Sequence, residues 1–324
     1  MTRPVPDEPD SVPGMNVDSV APAKSGTQWA IEAAGQQAVL VEVGGGLRTY
    51  TVNGREVVDG YAADEITPAG HGHILAPWPN RIRDGQYTFE GTSHQLPLTE
   101  PDKHNAIHGL VNWSRWTVVD QQPDAVTLEY DMPAQVGYPW SLLFRSRWSI
   151  GAGGLRADHD VTNTSDHDVP FGFSVHPYLR FPGVAVDDVT LQVPGRTRVL
   201  ADGRLLPIGA VKVVGTDYDY AEPRRIGDAV LDTTFGDIAY DADGISTVTL
   251  TAPSGESIAI WCDEAFRWWQ VFTSDTLKAD RHRRAVAVEP MTCPPDAFRS
   301  ARDLIVLAPG QTWHASWGIR PTPA

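Results

Sequence analysis

A chain of 324 residues with 41% hydrophobic and 21% charged residues has the composition of a globular protein with a sizeable core, which excludes wholesale disorder. Its formal net charge of −15 repels nucleic-acid phosphates and anionic membrane surfaces, and the one basic run, Arg281 to Arg284, reads as a solvated loop. Cys262 and Cys293 show no Cys-x-x-Cys spacing, so neither a disulfide framework nor a thiolate zinc site is indicated, and reduced thiols in a cytoplasmic protein fit.

Met1 to Gln28 is rich in Pro, Asp and Ser, without the apolar stretch of a signal peptide, and no segment approaches a membrane span. These residues read as a disordered tail, and 29–324 as one β domain. From Trp29 onward short runs of Val, Ile, Thr and aromatic residues alternate with Gly, Pro, Asn and Asp, the pattern of an all-β sandwich or barrel. Ala38 to Val43 and Leu47 to Val52 read as strands, the latter ending in the hairpin turn Asn53-Gly54. Similar runs follow at Gln86 to Glu90, Ala125 to Tyr130, Leu142 to Ile150, Leu155 to Val161, Val189 to Val193, Thr247 to Ala252 and Ser257 to Cys262. Trp268 to Thr273, Ala285 to Val288 and Thr312 to Ile319 complete the set. No Gly-rich phosphate loop joins a strand to a helix, so a nucleotide-binding α/β domain is not expected. The expected architecture is a large antiparallel β-sandwich whose long loops carry the site.

Four segments place polar groups in this context. The first, Trp78-Pro79-Asn80-Arg81-Ile82-Arg83, offers a guanidinium fork for hydroxyls or carboxylates and, in Trp78, a flat apolar face for a pyranose. A structural arginine ion pair in a Pro-rich loop accounts for it as well. In the second, His104 and His108 stand four apart, but Gly109 and the turn residues around them argue against the helix that would aim both at a metal; His71-Gly72-His73 likewise lacks a third ligand. In the third, Pro177 biases His176 toward an extended backbone at a strand end, where it is either a satisfied core histidine or a reactive one; Ser174 does not sit in Gly-x-Ser-x-Gly. In the fourth, a buried strand delivers Glu289 at its end, where Pro290 stops the ladder. That carboxylate could simply be paired with an arginine.

Taken in order, Asn80-Arg81-Ile82 with Gly85, Asn105 with His108-Gly109, Asn163-Thr164-Ser165 leading to His176-Pro177-Tyr178, Leu231-Asp232-Thr233-Thr234-Phe235, and Glu289-Pro290 with Pro295-Asp296-Ala297 resemble the aldose 1-epimerase, or galactose mutarotase, family. The resemblance runs from about Val39 to the C-terminus. It implies a large β-sandwich with an open sugar cleft on one sheet, Glu289 as general base and His176 as general acid. It also implies that Arg81, His108 and Asp232 hold a small-molecule aldose, with Asn80, Trp78 and Tyr178 around them. Mutarotation moves protons and no hydride, so no cofactor is expected. Val175, Leu179-Arg180 and Leu110 depart from the residues frequent beside these motifs, which suggests a divergent bacterial subgroup. Neither the preferred aldose nor the oligomeric state is written in these motifs. Three other readings compete: a non-catalytic carbohydrate-binding protein, a hexose-6-phosphate epimerase drawing cations from Arg81, Arg83 and Arg180, and a metal-dependent lyase or isomerase using His71, His73, His104 and His108.

Overall fold

The computed structural model describes residues 23–278 and 280–322. Two large antiparallel sheets dominate. One has nine strands, with Gly154–Asn163, Thr312–Thr322 and Ser257–Cys262 at its middle. Their two-residue alternation sets the core: Leu142, Phe144, Trp148 and Ile150 are buried on one face of Leu142–Gly151, and Arg145 and Arg147 face out. The second sheet, of eight strands, runs Pro207–Lys212, Thr197–Ala201, Asp232–Gly236, Trp268–Phe272, Val286–Met291, Ser174–Val175 and Ile74–Leu75, with Tyr178–Leu179 also paired to Val286–Met291.

Every residue of Val286–Met291 is buried, so both faces of this strand are covered. Val286 and Val288 join the main core, as do Trp269 and Val271 of Trp268–Phe272 and Phe235 of Asp232–Gly236. The alternate positions, Glu289, Gln270, Thr234 and Asp232, must therefore share the opposite face. Register aligns them: Gln270 is opposite both Glu289 and Thr234, and Asp232 lies one diagonal step away, opposite Phe272. The site is built on this face.

Three expectations are corrected. Pro290 does not end its strand, which continues to Met291 opposite Trp268. The Val288 and Thr292 N–H groups donate to Pro177 O and Phe173 O, so even positions point toward the neighbour that is interrupted at His176-Pro177, where Pro290 has no ladder bond to lose. The basic run is not a solvated loop. Arg281 and Arg284 converge on buried Asp59, Arg281 also meets Glu65, and Arg283 bridges Asp187 and Asp275.

The third correction concerns the tail. Residues 1–22 lie outside the described residues, but 23–28 are part of the fold. Ser25 is buried and accepts from the Val43 N–H, Thr27 bonds Glu42 through backbone and hydroxyl, and Gln28 opens a strand paired with Val41. Composition did not reveal this because the anchors are mostly backbone groups. Truncation through Gln28 is expected to lower Tm by several degrees relative to truncation through residue 22, at on the order of 2 °C per kcal/mol lost. Equal melting curves for the two truncations would contradict the docking.

Candidate active site

Backbone geometry brings three loops to the cleft face. The 76–80 loop and the 105–109 segment cross so closely that a Cβ on Gly109, at φ +75°, would lie 2.0 Å from Ala76 O. Only glycine allows that approach. The crossing sets His108, itself left-handed at φ 64°, beside Asn80, whose carbonyl accepts from the His108 N–H at 3.0 Å. Asn105–Ile107 is a strand paired with Arg81–Arg83, so the two histidines of that segment do not share a helix face: His104 turns outward to Asp84. The third loop is the His176-Pro177 interruption between Ser174–Val175 and Tyr178–Leu179.

Asn80, Arg81, His108, His176, Tyr178, Asp232 and Glu289 line one cleft of about 150 Å³, together with Gln270, Phe272 and Leu277. That lies below the roughly 300–1,000 Å³ typical of sites for drug-sized ligands, so the cleft suits a small ligand. Of the residues expected there, Trp78 alone is elsewhere. It is buried in the core, edge-on to Phe298, anchoring the loop that delivers Asn80 and Arg81 rather than facing a ligand. A large apolar ring gains more from that burial than from the wall of a wet cleft.

Glu289 and His176 are both buried, and Glu289 Oε1 lies 3.4 Å from His176 Nε2. Glu289 Oε2 and the Nδ1 atoms of His176 and His108 have no protein partner. His159, buried in the core, is by contrast bonded at both nitrogens, by Ser146 at 2.8 Å and the Trp317 indole at 2.9 Å. Unsatisfied buried polar atoms are costly, and these three belong to residues that line the cleft, where a ligand can supply the missing partner.

Burial, reinforced by the Asp232 charge and opposed by Arg81, holds the Glu289 carboxyl well above its ordinary range. Burial and the neighbouring histidines hold His176 well below the usual imidazole value. Burial likewise draws His108 down to about 3, so it faces the cleft uncharged. Arg81 supplies the positive charge. It is clamped by two bonds to Glu100, at 2.8 and 3.0 Å, and Asn105 donates to the same carboxylate. Glu100 is thereby held down to about 2, against its own burial.

Two groups were not anticipated from sequence. Gln270 donates to Asp232 Oδ1 and accepts from the Thr234 hydroxyl, fixing the carboxylate at the cleft mouth. Glu100 orients Arg81. Gln270 sits on the cleft face by strand alternation, a signal available in principle, but its pairing with Asp232 and Glu289 depends on register between distant strands. Each arginine invoked for a phosphate is paired with carboxylates: Arg81 with Glu100, Arg83 with Asp202 and Asp296, and Arg180 with Glu56 and Asp59. Among the described residues no three His, Cys, Asp or Glu side chains gather as a metal-ligand set, and no helix is long and apolar enough to cross a membrane.

A β-sandwich carrying an open cleft on one sheet, walled by two histidines, an arginine and two carboxylates, is the galactose mutarotase fold. The chain belongs to the aldose 1-epimerase family, whose profile matches residues 27–320. It is 32% identical over 288 residues to YihR of Escherichia coli (strain K12), covering 89% of this chain and 91% of that protein. It is 28% identical over 243 residues to the maltose epimerase of Levilactobacillus brevis, covering 68% and 70%. Among solved structures, the GalM/aldose epimerase homologue from C. elegans superposes with a TM-score of 0.81 at 18% identity, over 92% of this chain and 100% of that one. The galactose 1-epimerase from Lactobacillus acidophilus NCFM gives 0.77 at 18%, over 92% and 94%.

Proposed function

We propose that this protein is an aldose 1-epimerase that interconverts the α and β anomers of a free aldose, with Glu289 as base and His176 as acid. The observation that carries this reading is the facing pair itself: a carboxylate and an imidazole 3.4 Å apart in the cleft wall, each with a free polar atom. Glu289 takes the proton from O1 as His176 gives one to the ring oxygen; the C1–O5 bond breaks and O1 becomes the aldehyde oxygen. After rotation about C1–C2, O5 attacks the other face of C1, its proton returns to His176, and O1 recovers a proton from Glu289. The burial-induced shifts favour the protonated carboxyl and the neutral imidazole at rest, so the reacting carboxylate–imidazolium pair is a minor form, but each member of it is the more reactive. A carboxylate with raised proton affinity is a stronger acceptor, and an imidazolium with lowered affinity a stronger donor.

Arg81, His108 and Asp232 supply hydroxyl partners around the ring, with Asn80 and Tyr178 beside them. A non-catalytic sugar-binding protein would need these groups but not the buried pair. The reading is tested by polarimetry on a panel of freshly dissolved single anomers. Acceleration of at least one aldose over its spontaneous rate is expected, and sugar binding without acceleration would favour the binding-protein alternative. Arg81→Ala should raise KM with little change in kcat on the plateau of the pH profile, because a donor used equally in ground and transition states contributes uniform binding, while loss of its charge moves the Glu289 limb upward. A matching fall in kcat would move Arg81 into the chemical step.

The pH profile carries a sign that Asp232 can test. The negative charge of Asp232 opposes ionisation of Glu289. Asp232→Asn should ease that ionisation and move the pH limb assigned to Glu289 downward, read as kcat against pH with saturating sugar. An upward move would show that Asp232 does not act on Glu289 through its charge.

A further inference from the structure

The histidine pair His71-Gly72-His73 is left unused by the proposed chemistry, yet its segment wraps the acid. Gly72 N–H donates to His176 O at 2.8 Å, His176 N–H donates to His73 O at 3.0 Å, and the Tyr178 hydroxyl donates to Ala69 O at 3.1 Å. The approach is tight enough that a Cβ on Gly72, at φ +69°, would fall 1.9 Å from Leu47 O. Three rings are stacked as a result. His71 lies 3.6 Å from Tyr178 at 8° between planes, and His176 lies 4.8 Å from the same ring at 10°. Two nearly parallel rings so close to a third must occupy its opposite faces, so Tyr178 is sandwiched between His71 and His176.

The outer end of this stack is bolted to charge. His71 Nδ1 faces Pro68 O at 2.5 Å, and Nε2 faces Asp59 Oδ2 at 3.2 Å. Asp59 is buried and also meets Arg180 at 3.2 Å, Arg281 at 2.9 Å and Arg284 at 2.8 Å. Burial works to raise the Asp59 pKa, but His71 and the arginines hold it below the ordinary carboxylate value, so it stays ionised. Burial also draws the His71 pKa down, against the pull of Asp59. The net direction is downward, but a carbonyl and a carboxylate only accept, so an N–H on each His71 nitrogen is the arrangement that satisfies both contacts.

We propose that His71 is a positioning residue for the acid, a doubly protonated ring that fixes the plane of Tyr178 and, through it, the aim of the His176 imidazole at the sugar ring oxygen. The proposal rests on the mutarotase reading above. Proton transfer depends steeply on where the donor points, whereas Arg81, His108 and Asp232 lie on other elements, and the Tyr178 hydroxyl is already engaged by Ala69 O. Loss of the His71 bonds should therefore act on kcat and leave KM nearly alone.

The test compares wild type with His71→Phe, which keeps a buried ring but loses both N–H groups, and His71→Ala, which loses the ring as well. Both variants are expected to lower kcat by about 10- to 100-fold with KM within about twofold, His71→Ala the more. Wild-type kcat in His71→Phe at an unchanged Tm would overturn the proposal, and so would a change confined to KM. Independently of variant folding, the ¹⁵N spectrum of wild-type protein at neutral pH should show both His71 nitrogens protonated, and one bare nitrogen would overturn it. If wild type accelerates no anomerisation at all, the functional reading falls and this proposal with it; if wild type is active and the His71 variants match it, only this proposal falls.

Discussion

Glu289→Gln is expected to lower kcat by roughly 10²-fold or more while the protein still binds its sugar. The amide is nearly the shape of the carboxyl group and keeps an acceptor 3.4 Å from His176, so the strand, its register and the cleft should persist. What the variant cannot do is carry the O1 proton. Stability gives an independent reading. Glu289 holds its proton more tightly in the fold than in the unfolded chain, because burial opposes its charge. Above the ordinary carboxylate range that preference works against folding, so the uncharged amide should match or exceed wild-type Tm at neutral and alkaline pH. Kinetics at saturating sugar, calorimetric binding and melting curves together check the expectation. Loss of activity accompanied by loss of sugar binding would instead make Glu289 a binding group.

The second large effect is expected at His176. His176→Asn keeps a polar group of similar reach but no titratable nitrogen, so the ring oxygen loses its proton donor and kcat should fall by about 10²-fold or more. Because the two residues act on one bond-breaking event, the double variant should be little slower than either single one. Multiplying losses in the double variant, measured as kcat on the same sugar, would mean that the two groups serve separate steps.

Much of this site was legible before the fold was known because its residues lie in short local motifs. Asn80-Arg81 and His108-Gly109 meet in a crossing that glycine permits, and Pro177 alone marks His176 as extended at a strand end, which is where Ser174–Val175 stops. The turn at Asn53-Gly54 also forms as expected, with both residues at positive φ between Leu47–Val52 and Arg55–Glu56. Strand alternation placed Glu289 in a buried strand, but which face it shared with Asp232 depended on pairing across some 57 residues of chain.

What escaped was long-range. Arg281 to Arg284 looks like solvated charge until Asp59, more than two hundred residues away, folds beneath it. Trp78 has the chemistry of a sugar platform, and only packing against Phe298 shows that it serves the core. Glu100 and Gln270 carry no motif of their own, since their work is to hold Arg81 and Asp232.

The central claim, that Glu289 and His176 exchange protons with a bound aldose, is tested most directly by magnetisation transfer between the α and β H1 resonances of an equilibrated aldose, recorded with wild type and with Glu289→Gln. Transfer that rises with wild-type concentration and stays at the protein-free rate with the variant is the predicted result. Equal transfer with both proteins, at equal sugar occupancy, would contradict the account.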